Sequence, residues 1–218
     1  MITKNINPVL SKEIACMAIL DERIKENPGD VDALLKKAVL LFDSYLLFDE
    51  AIEILRSLIA RDPDNVDALL WLGECFCFCI GDIVESEQIM RKALGIDQNR
   101  ADCHMVLAAS LDRSERNCPE AEFHYRRATE LEPSWILPRK YLALILVCHG
   151  KLEQARQELE KALLNIPRSI NVDEVYDPIK EYHASFMTGR RDPKAKQLIL
   201  EFMQEIDAKI AEKNKHTS

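Results

Sequence analysis

Four prolines divide this chain at nearly even intervals, and that spacing constrains its fold more than any other feature. Pro28, Pro63, Pro133 and Pro167 are 35, 70 and 34 residues apart, and Gln98 stands where the long gap skips a position. Each ends a helical pattern and is followed by polar residues and a new amphipathic run. The breaks repeat in detail. Asn27-Pro28-Gly29-Asp30 leads into Val31-Asp32-Ala33-Leu34, and Asp62-Pro63-Asp64-Asn65 leads into Val66-Asp67-Ala68-Leu69. A period of this length belongs to an array of small units that bury their apolar faces against one another.

The intervals delimit four units, 31–65, 66–100, 101–135 and 136–169, each with two helical runs around a short break. Ala38, Leu41, Ala51 and Leu55 mark the first unit. Leu69, Leu72, Gly73 and Phe76 open the second, Gly81-Asp82 breaks it, and Ser86, Met90 and Ala93 line its second run. Ala108, Leu111, Ala121, Tyr125 and Ala128 serve the third, and Leu142, Ala143, Leu146, Gly150, Ala155, Leu159 and Ala162 the fourth. Composition agrees with helix. The chain has only 6 glycines, and no two are closer than Gly73 and Gly81, so neither GxGxxG nor GxxxxGK can occur. So few glycines also argue against a fold built on tight β-turns.

These residues resemble the tetratricopeptide (TPR) repeat, W-x2-L-G-x2-Y, then A-x3-F, then P. Gly73, Ala38, Ala108 and Ala143 are the small residues that let two helices approach, with Ala51, Ala121 and Ala155 doing the same from the second helix. Departures are Lys37 for Leu, His104 and Arg139 for the large apolar opener, Ser86 for Ala and Gln98 for Pro. Three units of 35 residues imply one extra residue in the break between their helices. The resemblance implies an all-α fold, a right-handed α-solenoid of helix pairs. Residues 1–30 supply a lone second helix, over about 10–26, and 170–218 a helical cap, with helices near 173–187 and 193–213. Asp192-Pro193 is a suitable start for the last helix, whose stripe is Ala195, Leu198, Ile199, Phe202, Ile206 and Ile210.

The charge is 29 basic against 37 acidic residues, net −8. That sign disfavours nucleic-acid backbones and anionic membrane surfaces. Residues 171–218 nearly balance, with 8 basic and 9 acidic groups, so the acidity travels with the repeats. The longest apolar run, Tyr141–Cys148, is too short to span a bilayer, and the N-terminus has no signal-peptide pattern. An odd seven cysteines point to a reducing, cytoplasmic setting.

No constellation suggests catalysis, a metal or a cofactor. Cys75, Cys77 and Cys79 alternate, so on an α-helix the middle thiol faces away from the other two, and small residues packed between helices are the better reading. The five histidines show no HExxH and no i, i+4 pair, and His104 reads as a core residue. Arg190, Arg191, Lys194 and Lys196 read as a solvated loop and helix start.

By the TPR resemblance, the first helix of each unit lines a concave groove that holds a peptide or protein. The stripe i, i+3, i+7, i+10 selects Asp32, Leu35, Val39 and Phe42, then Asp67, Leu70, Glu74 and Cys77. It continues as Asp102, Met105, Ala109 and Asp112, and as Leu137, Lys140, Leu144 and Val147. A single lysine argues against a clamp for carboxylate tails. The acidic members argue for a basic partner, although an Asp in the first turn is also favoured by the helix dipole alone. The expectation is a non-catalytic interaction scaffold or adaptor. The alternative is an immunity-type inhibitor that neutralises a basic toxin or nuclease.

Overall fold

The computed structural model describes residues 8–113, 118–164 and 195–216. The helix expected at 173–187, the Asp192-Pro193 start and Arg190, Arg191 and Lys194 lie outside them. Among the described residues the regular structure is helical, and no helix is long and apolar enough to cross a membrane. The described residues fall into two compact units, 8–96 and 97–164 with 195–216.

The first unit holds α1 (Pro8–Glu26), α2 (Val31–Leu40), α3 (Phe48–Arg61), α4 (Val66–Glu74) and α5 (Ile83–Ile96). The proline breaks are turns of one design. Asp30 N–H donates to the Asn27 carbonyl at 3.0 Å, and Asn65 N–H to the Asp62 carbonyl at 3.2 Å. The residue ending each turn caps the next helix. Asp30 Oδ1 accepts from Ala33 N–H at 3.0 Å and Asn65 Oδ1 from Ala68 N–H at 2.9 Å, with φ/ψ of −67/92 and −68/93. The core joins Leu35, Val39 and Phe42 to Leu55 and Leu58 of α3 and to Trp71, Leu72 and Phe76. A smaller cluster centred on Leu20, Ala33 and Leu40 seats α1 on α2. Gly73 lets Met90 pack close: a Cβ there would meet the Met90 methyl at 2.5 Å and force that side chain to move.

The extra residue of the longer units is placed differently from the expectation. In units 31–65 and 66–100 it does not lengthen the break; the break of unit 101–135 lies outside the described residues. α2 and α4 each end in a π-helical turn, Leu41–Tyr45 and Cys75–Ile80, which absorbs the residue inside the helix. Each turn closes with a left-handed residue: Leu46 at φ 56 and Gly81 at φ 83, their N–H groups bonding to the Leu41 and Phe76 carbonyls. The shorter stretch after Trp135 has no such turn. Its first helix stops at Gly150, φ 70, with Lys151 N–H donating to the Leu146 carbonyl at 2.8 Å.

The second unit holds α6 (Ala101–Arg113), α7 (Cys118–Leu131), α8 (Ile136–Cys148), α9 (Leu152–Leu164) and α10 (Ala195–His216). Where Gln98 replaces proline, the side chain before it keeps the turn: Asp97 Oδ1 accepts from Asn99 N–H at 2.9 Å, as Asp62 does from Asp64 at 3.2 Å. Tyr125 and Tyr141 stack with centroids 5.7 Å apart. α10 packs on α9 through buried Ile199 and Ile206, and Arg156 Nε donates to Asp207 at 2.7 Å. Leu198, expected in this buried stripe, is exposed.

Candidate functional site

The acidic residues that open the helices are built alike but partnered differently. Asp32 follows the Asp30 cap and is exposed. Arg23 Nη2 reaches it at 3.0 Å and Lys36 Nζ at 3.1 Å, on the same helix. Arg23 also holds Asp30 at 2.8 Å, and the bond from Ala33 N–H followed by this cation keeps the Asp30 carboxyl below its usual range. Asp67 occupies the matching place on α4 and is also exposed. Asp102 is half-buried and takes two bonds from Arg100, at 3.0 and 2.8 Å. In the described structure the carboxylates of Asp32 and Asp102 are therefore balanced by cations of the same chain.

Much of the expected stripe lies inside the protein. Leu35, Val39, Phe42, Leu70, Glu74 and Met105 are buried, as are Cys77 and Ala109. Asp112 and Lys140 are half-buried, burial pushing the Asp112 carboxyl upward, and Leu144 is exposed. The reason is visible in α4. Every residue from Ala68 to Glu74 is buried, so this helix has no open face for a period of 3.6 to select. Within the first unit the surface members of the stripe are Asp32 and Asp67.

The cysteine string follows the same logic. Cys75, Cys77 and Cys79 belong to the π turn, so α-helical face counting does not apply. Cys75 and Cys77 are both buried and Cys79 half-buried. Burial pushes the thiols of Cys75 and Cys79 up, that of Cys79 to about 11, which removes thiolate reactivity near neutral pH. Among the described residues no group of three or more His, Cys, Asp or Glu converges as a metal site.

Three polar clusters in the second unit join residues far apart in sequence, and only Glu122 and Arg126 among them share an i, i+4 spacing. His104 is buried as expected, but its Nδ1 lies 2.7 Å from Nδ1 of His124, twenty residues away on α7. Arg139, standing where a large apolar residue is usual, donates to Glu158 at 2.7 Å and to the Pro133 carbonyl at 3.0 Å. Glu122 receives Arg126, His149 and Lys151 at 2.8, 3.0 and 3.1 Å. Burial alone would raise its carboxyl, but these three donors outweigh that and hold it at about 2.

Residues 48–110 match the family model described as a tetratricopeptide repeat. The chain is similar in structure to TTC0263, a thermophilic TPR protein of Thermus thermophilus, with a TM-score of 0.63, 22% identity, and coverage of 74% of this chain and 87% of that one. It is similar to MamA at a TM-score of 0.58 and 20% identity, covering 74% of this chain and 95% of that one. YrrB, described as a TPR protein with an unusual peptide-binding site, matches at 0.57 and 20% identity over 86% and 91% of the two chains. No curated protein matches the chain by sequence. Residues 48–110 thus carry tetratricopeptide repeats, and the chain has the all-α, helix-pair fold of that family.

Proposed function

We propose that this chain is a non-catalytic protein-interaction scaffold that holds a basic peptide or protein segment against the opening turns of its repeat helices. The observation that carries this reading is the matched placement of Asp32 and Asp67. Both are exposed, both sit second in a helix, and the caps before them have nearly the same backbone angles. Two carboxylates repeated on one scaffold favour a partner with repeated cations, and the net charge of −8 steers such a partner inward. Arg23 and Lys36 occupy Asp32 in the unbound protein. Exposed ion pairs of this kind contribute little, so an incoming lysine or arginine exchanges with them at small cost. YrrB is described by its peptide-binding site, which supports peptide capture as a use of this fold.

The test is an array of short basic, neutral and acidic peptides probed with the full chain across a salt series. Lysine- and arginine-rich peptides are expected to be retained at low ionic strength and released as it rises. Equal retention of acidic and basic peptides would overturn the assignment of a basic partner.

A further inference from the structure

Two buried imidazoles facing each other at 2.7 Å fix their own proton count. His104 Nε2 lies 3.1 Å from the Gln98 carbonyl, which can only accept, so Nε2 carries a hydrogen. In neutral His104 the other nitrogen, Nδ1, is then an acceptor without a hydrogen. Its neighbour at 2.7 Å, His124 Nδ1, must be the donor. That leaves His124 Nε2 as the basic nitrogen of the pair, and it points toward Glu120 Oε1 at 3.8 Å. A first added proton therefore enters at His124 Nε2, facing a carboxylate. The next has nowhere to go except between the two facing nitrogens, where two N–H groups would point head to head.

We propose that His104 and His124 form a single-proton latch between α6 and α7, closed near neutral pH and released when a second proton enters in mildly acid solution. The charged groups around it fit this order of events. Glu120 on α7 favours the first proton, and Asp102 on α6 favours charge on His104. Arg127 on α7 opposes it, and both rings are buried, His104 at 6% and His124 at 8% exposure. Phe123 stands edge-on to His124, ring centroids 5.1 Å apart. Burial is the largest influence on His104 and lowers its affinity for a proton. An unfolded histidine accepts that proton at about 6.5, so below this pH the opened form binds one more proton than the closed form. The closed state then loses roughly tenfold in population for each further pH unit, until His104 itself titrates. The latch is independent of the basic-partner reading, since it concerns the contact of α6 with α7 and not a ligand.

The test is amide hydrogen exchange of the full chain from pH 7.5 to 5, corrected for intrinsic rates, with imidazole nitrogen NMR on the same samples. Protection of α6 and α7 is expected to fall by up to about thirtyfold between pH 6.5 and 5, while α3 and α4 change little. The double variant His104→Leu/His124→Leu puts apolar residues at both positions and is expected to lose this dependence. Asp112, an α6 carboxyl raised by burial, is controlled by running the series in Asp112→Asn. NMR needs no variant to fold: it is expected to show His104 protonated at Nε2 and His124 at Nδ1 at pH 7.5. Protection that is flat with pH, a fall that persists in the double leucine variant, or two histidines titrating independently near 6.5 would each overturn the latch.

Discussion

Arg139 and Glu158 form a 2.7 Å ion pair with only 10% and 11% of their side chains exposed, joining α8 to α9. The guanidinium also binds the Pro133 carbonyl, and Lys161 Nζ sits 2.7 Å from the second carboxylate oxygen, so the buried charges are compensated on several sides. Removing one partner leaves the other under-compensated: Glu158 keeps only Lys161, and Arg139 only the Pro133 carbonyl. Arg139→Ala or Glu158→Ala is predicted to cost about 3 kcal/mol in urea unfolding. The double variant Arg139→Leu/Glu158→Leu should recover a large part of that loss, as apolar replacements of buried pairs do. Single losses below about 1 kcal/mol would show that the pair is not buried as described.

Ser86 Oγ donates to the Gly73 carbonyl at 2.8 Å, inside the contact between α4 and α5. Alanine is the residue the TPR pattern places at this position and is the better helix former, so propensity alone favours Ser86→Ala by a few tenths of a kcal/mol. The loss of a bond to a buried carbonyl should outweigh it, giving a net destabilisation of about 1 kcal/mol. A thermal melt of Ser86→Ala at or above the parent would contradict this.

The two π turns make opposite predictions at their closing residues. A Cβ at Gly81 meets nothing within 4 Å, so Gly81→Ala reports backbone strain alone, about 1 kcal/mol. Leu46 already bears that strain at φ 56 and is exposed, so Leu46→Gly should stabilise by about 0.5 kcal/mol. Opposite shifts in melting temperature are the expected signature, and shifts of the same sign would rule the backbone account out.

The helix pairs are legible in the sequence because a capped turn needs particular residues. Pro63, Asn65 and the recurring Val-Asp-Ala-Leu mark where a helix starts, whatever it later packs against. The π turns are not legible, because an added residue leaves the same apolar spacing whether it lies in the loop or in the last turn of the helix. Leu70 and Glu74 are misplaced by the groove stripe for a related reason: a helical period finds a face only when another face is open, and α4 is enclosed from Ala68 onward. The pairing of His104 with His124 has no local spacing at all. It follows from which residues α6 and α7 set opposite each other, which no single-helix period records.

Glu122 ties stability to acid. Its carboxyl is held at about 2 in the folded protein against an ordinary 4.5. A depressed carboxyl contributes stability that is complete above the unfolded value and is lost as pH falls from about 4.5 toward 2. Its cationic partners Arg126 and Lys151 are partly exposed, so the contribution is about 2 kcal/mol after allowing for solvent screening. Glu122→Gln should lose this stability at neutral pH and show a flatter acid limb between pH 4.5 and 2. Parallel acid limbs for the variant and the parent would contradict the assignment.

The proposed capture of a basic partner by the exposed carboxylates of Asp32 and Asp67 is open to a single affinity measurement. The full chain and the charge-reversed variant Asp32→Lys/Asp67→Lys are titrated with the same fluorescent lysine- and arginine-rich peptide at low salt, by anisotropy. Both positions are exposed, so the variant should fold, with a modestly lower melting temperature because each lysine opposes the helix dipole and the one at position 32 would face Arg23 and Lys36. Binding weaker by at least about tenfold is expected in the variant, with a reduced dependence on salt. Equal affinity in a variant that folds as the parent does would contradict it.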